Sequence, residues 1–96
     1  MTKNDQVLAA LAMDLKRLAA GRERGSKAMS ERFRQEAAKR LQEINMEETD
    51  AYLKPVLKRC RRELKTDPDR LAEDMLMYSI LIQNNVVQNR EVGESK

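Results

Sequence analysis

Apolar residues recur every three or four positions along nearly the whole chain and nowhere sustain the alternation of a half-buried strand, so the fold class that follows is all-α. Val7, Leu8, Leu11, Leu15 and Leu18 form a first stripe, and Met29, Phe33, Ala37, Leu41 and Ile44 a second. Leu53, Leu57, Cys60 and Leu64 form a third, with Val56 at its edge, and Leu71, Met75, Tyr78, Ile82 and Val86 a fourth. Each stripe needs a neighbour to cover it, and four amphipathic helices with short connections predict a small four-helix bundle.

Local signals set the expected boundaries. The first helix is expected from about Asp5 to Ala20, with Gly21 as its left-handed C-terminal cap, followed by a turn through Gly25 and Ser26. The second should run from about Lys27 to Ile44. Thr49 is a candidate N-cap for the third, which puts Pro55 within or just after the first turn, where its missing N–H costs little. That helix should end near Lys65, because Asp67, Pro68 and Asp69 combine an N-cap, a first-turn proline and an acid at the positive helix end. The fourth should extend to about Gln88. With 96 residues, one domain over 1–90 and a polar tail over 91–96 are expected.

The fourth helix departs from the simple pattern. Beside its regular stripe, Leu76, Met77, Ile80 and Leu81 fill most of the remaining circumference. A helix apolar on all sides must be buried on all sides. Either the other three helices wrap it, or subunits pair through it, most simply as a symmetric homodimer. Leu76, Met77, Ile80 and Leu81 are therefore the candidate oligomer interface, and Met75 and Met77 add the adaptable surface that suits partner helices.

The third helix carries the strongest charge signal. Between residues 54 and 65 six bases stand against one acid, Glu63. Lys54, Lys58, Arg61 and Lys65 recur beside the apolar stripe, and Arg59 and Arg62 extend the positive arc around the back. Such a face can meet several phosphates, with Arg22, Arg24 and Lys27 of the first turn as auxiliaries. The competing reading is a solvated charged surface. Residues 1–65 hold 16 bases and 10 acids, whereas residues 66–96 hold 3 and 6, so a basic side and an acidic side are expected.

Other chemistries find little support. A chain without histidine has no Cys-His pair, and Cys60 on an apolar stripe is better explained as core than as a reactive thiol, despite its basic neighbours. Glu47, Glu48 and Asp50 lack the spacing and glycine of a calcium loop. A DNA-reading helix-turn-helix in the first two helices fits poorly. The stretch from Gly21 to Ser26 looks longer than that motif's turn, and the second helix offers mainly charged groups to base edges. Phe33, Tyr52 and Tyr78 are the only aromatics, and with Phe33 and Tyr78 on apolar stripes no stacking platform for single-stranded bases is visible. No enzyme activity, cofactor, metal or small-molecule substrate is expected.

One cysteine suits a reducing cytoplasm, and the longest apolar run, residues 75–82, falls short of the roughly 18–20 residues of a membrane span. The expected function is a non-enzymatic, cytoplasmic protein-interaction or regulatory module that self-associates as a homodimer and binds a protein partner. The alternative is a nucleic-acid-binding protein that contacts the DNA phosphate backbone through the basic face of the third helix.

Overall fold

In a computed structural model the chain is described over residues 2–66 and 71–94. It forms four helices, α1 (Lys3–Glu23), α2 (Lys27–Glu43), α3 (Leu53–Thr66) and α4 (Leu71–Glu94). They make a small all-α four-helix bundle measuring 45 × 21 × 18 Å. The Asp67-Pro68-Asp69 boundary signal lies outside the described residues.

The helices are arranged as a ring. α1 packs at length on α2 and α4, and α3 closes the ring with smaller contacts to α2 and α4; among the described residues neither diagonal pair comes into contact. The stripes read from the sequence face inward; the side chain of Leu71, the first residue of the fourth, lies outside the described residues. Leu8, Leu11, Leu15 and Leu18 meet Ala37 and Leu41, Leu53, Leu57, Cys60 and Leu64, and Met75, Tyr78, Ile82 and Val86 in one buried core. Val7, Phe33 and Val56 pack against its edge.

The first connection is shorter than expected. α1 continues past Gly21 to Glu23, leaving only Arg24, Gly25 and Ser26 between the helices. Gly25 takes the left-handed conformation, φ 73°, and the N–H of Ser26 and of Gly25 donate to the carbonyls of Gly21 and Arg22 at 2.9 and 3.1 Å. This is a Schellman closure centred on Gly25 and not on Gly21. Ser26 then caps α2 by accepting the Met29 N–H at 3.2 Å. Gly21 has a different duty, because it is buried where α1 crosses α2, and a Cβ there would lie 3.0 Å from the Ser30 nitrogen.

A three-residue connection removes the length objection to a helix-turn-helix, but the packing supplies a better one. From the turn outward, Gly21 meets Met29 and Ser30, Arg17 and Arg32 flank the Phe33 ring at 5.6 Å, Asp14 pairs with Arg40, and Asn4 reaches Asn45. Contacts in that order make an antiparallel hairpin along the whole length of both helices, whereas the DNA-reading motif crosses its helices steeply.

The second connection is held by buried amides. The Asn45 N–H donates to Asn4 Oδ1 at 2.8 Å, Asn4 Nδ2 donates to Thr49 Oγ1 at 3.1 Å, and the Thr49 hydroxyl donates to the Asn45 carbonyl at 2.8 Å. Asn85 Nδ2 on α4 donates to Asp50 Oδ2 at 2.6 Å and to the Tyr52 hydroxyl at 2.8 Å. Thr49 is thus a buried strut ahead of α3, correcting its expected place as the cap. Backbone turns from Asp50 and Ala51 lead into Leu53, and Pro55 falls third in the helix, where no intrahelical N–H bond is lost.

Candidate interaction surfaces

α4 is not wrapped by the other helices. Leu76, Met77, Ile80, Leu81 and Val87 are 39%, 45%, 52%, 37% and 40% exposed, while Met75, Tyr78, Ile82, Asn85 and Val86 are buried on the opposite side. From Met75 to Asn89 the helix carries no charged residue. Over that range its exposed residues are apolar side chains and the amides of Gln83, Asn84, Gln88 and Asn89. Along it Leu76, Ile80, Gln83 and Val87 follow the alternating four- and three-residue spacing of a helix-pairing seam.

The apolar surface continues onto α1. Ala12, Met13 and Lys16 face Leu76, Ser79, Ile80, Gln83 and Asn84 across a groove of about 460 Å³. Met13, 44% exposed, does not stand out in the sequence, because its membership depends on how α1 sits beside α4.

On the opposite side of the ring lies the basic surface. Lys58, Arg59, Arg61, Arg62 and Lys65 are exposed and Lys54 is half-buried. Arg61 turns toward α2, where its guanidinium donates to the Leu41 carbonyl at 3.3 Å. There a cation meets the negative end of a helix, an arrangement that steadies α3. Beside it runs a groove of about 610 Å³ lined by Glu31, Arg34, Gln35, Ala38, Gln42, Arg61, Leu64 and Lys65. α2 thus contributes Arg34 and two glutamines that a reading of α3 alone misses. Arg24 and Lys27 are exposed and Arg22 half-buried at the α1–α2 turn. That turn lies past the Glu31 end of the groove, so the auxiliaries extend the basic surface without lining the groove.

Glu31 stays in the groove, paired with Arg34 at 3.9 Å, whereas two other acids turn inward. Glu63, the only acid of α3, faces α4, where the Tyr78 hydroxyl bonds its carboxyl. Burial raises the Glu63 pKa above the ordinary range, with the neighbouring Asp74 acting in the same direction. Tyr78 is raised as well, by burial and by this carboxylate. The other carboxyl oxygen of Glu63, Oε2, is buried without a hydrogen bond. Asp14 is likewise raised by burial, opposed by Arg40 at 3.7 Å. Cys60 is fully buried, and burial pushes its thiol up to about 12, so the basic neighbours do not activate it.

Among the described residues no cluster of His, Cys, Asp and Glu is arranged to hold a metal ion, and no helix is long and apolar enough to cross a membrane. No protein-family model, curated protein or solved structure matches this chain.

Proposed function

We propose that the chain is a non-enzymatic helical interaction module that pairs with a second copy of itself through the outer face of α4 and offers its remaining surface to a macromolecular partner. The observation that carries this reading is the outward-facing surface of α4, free of charge from Met75 to Asn89, in a chain of which 36% is charged. Exposed apolar side chains scattered singly need no explanation, whereas five on one face, joined by Met13, mark a contact.

A second copy suits this face better than an unrelated partner. The surface has no charge with which to select a complementary one, and it complements itself. In an antiparallel pair related by a two-fold axis between Leu81 and Ile82, Leu76 meets Val87 of the second copy and Ile80 meets its Gln83. The uncharged amide in the seam sets register at some cost in stability, as a polar seam position does in coiled coils. Isologous contacts of this kind close without leaving a further sticky surface. The cytoplasm is the compartment that a single buried thiol suits.

The test is the mass in solution, by light scattering on a sizing column at tens of micromolar. The wild-type chain should give twice its 11.1 kDa, and Ile80→Glu should give the single-chain mass with its helical circular dichroism unchanged. In a monomer Ile80→Glu replaces a half-exposed residue and is nearly neutral. A wild-type mass of one chain at that concentration rejects the reading.

A further inference from the structure

We infer that the α2–α3 side of the bundle is a docking site for the phosphate backbone of double-stranded nucleic acid, with Lys58, Arg59, Arg62 and Lys65 as outward contacts and Arg34, Gln35 and Gln42 as contacts from the groove. The inference does not depend on pairing through α4, which uses the other side of the ring.

Four observations carry it. From Lys58 to Lys65 the exposed residues of α3 are all basic, and Lys58, Arg62 and Lys65 recur about once per turn, at roughly 5.4 Å along the axis. Its only acid faces α4 and is bonded to Tyr78, and of the arc it is Arg62 whose charge it feels. The surface ion pairs at Glu31 with Arg34, Asp14 with Arg40 and Glu43 with Arg40 lie on α1 and α2, and Lys58, Arg59 and Lys65 make none among the described residues. Finally, the groove supplies the neutral amides of Gln42 and of Gln35, which also donates to Glu31 at 3.3 Å, groups of the kind that position a backbone beside charged ones, with Glu31 as the groove's only acid.

The same surface argues against other polyanions. A membrane-surface helix needs an apolar face turned to the lipid, and the apolar residues of α3 are spent on the core. Single strands are held by aromatic stacking, and no aromatic lies on this face or lines the groove. An acidic protein would normally add a buried apolar anchor at the centre of its contact, and the apolar residues lining the groove are only Ala38 and Leu64, the latter a core residue. Arginine outnumbers lysine from residue 58 to 65, which favours planar, bidentate recognition of phosphate oxygens.

The experiment is fluorescence anisotropy of the full chain with a labelled random DNA duplex over a salt series, with poly-glutamate as a competing polyanion. Micromolar binding at low salt is expected. Its logarithm should fall against log salt with a slope of about −3 to −4, corresponding to roughly four phosphates. Lys58→Glu should weaken binding about tenfold and flatten the slope by about one, whereas Lys3→Glu, an equal change of charge on α1 and outside both grooves, should leave both nearly unchanged. Should Lys58→Glu disturb the circular dichroism, Lys58→Ala carries the same comparison. The inference is overturned by absence of binding at low salt, by equal losses for Lys58 and Lys3, or by poly-glutamate competing as well as the duplex at equal charge. Binding retained by a monomeric Ile80→Glu chain separates this site from the pairing of copies.

Discussion

Gly21 and Gly25 stand four positions apart and answer to opposite constraints. Gly25 has open space around its α-carbon but a φ of 73°, so a side chain there would fit and be strained. Gly21 has ordinary helical backbone but no room, since a Cβ at this position would meet the Ser30 nitrogen at 3.0 Å and Met29 Cγ at 3.2 Å. Gly25→Ala should cost about 1–2 kcal/mol through backbone strain. Gly21→Ala gains about 1 kcal/mol of helix propensity and loses more, about 1–3 kcal/mol, by forcing α1 away from α2. Thermal unfolding checks both: Met29→Ala should recover part of the Gly21→Ala loss and none of the Gly25→Ala loss. A cap glycine and a crossing glycine look alike in one dimension, which is why the sequence alone places the cap four residues early. The same limit hides Asn4, Thr49 and Asn85, whose side chains reach partners 33 to 45 positions away.

At the scale of elements, the junction of α3 with α4 contains a pH dependence. The Glu63 carboxyl has a raised pKa in the folded chain, so over the interval between its ordinary value and the raised one the folded state holds more of the proton than the unfolded state does. Stability therefore falls as pH rises through that interval, and above it the full cost of burying the charge is present. Glu63→Gln keeps an oxygen for the Tyr78 hydroxyl and removes the charge. Its melting temperature should exceed the wild-type value by a few degrees at pH 7, with the gap closing at pH 4; a gap independent of pH would reject this account. The apolar stripes are fully legible in the sequence because a 3.6-residue period is a local property. The partners of each face are not, since Met13 joins α4, and Arg34, Gln35 and Gln42 join α3, only once the ring has closed.

At the scale of the whole molecule, the order of the ring decides what two copies could do together. The α1–α4 groove and the α2–α3 groove occupy opposite sides of a bundle about 20 Å thick. Copies joined through the first groove turn the second away from each other, back to back. Unlike dimers whose reading heads lie side by side on successive turns of one duplex, such a pair has no common target for its two basic faces. It would act as a tie between two strands of backbone and not as a clamp on one. Long duplexes mixed with the wild-type chain should bundle and scatter light, whereas the Ile80→Glu chain should coat them singly at similar occupancy; equal scattering from both would reject the arrangement.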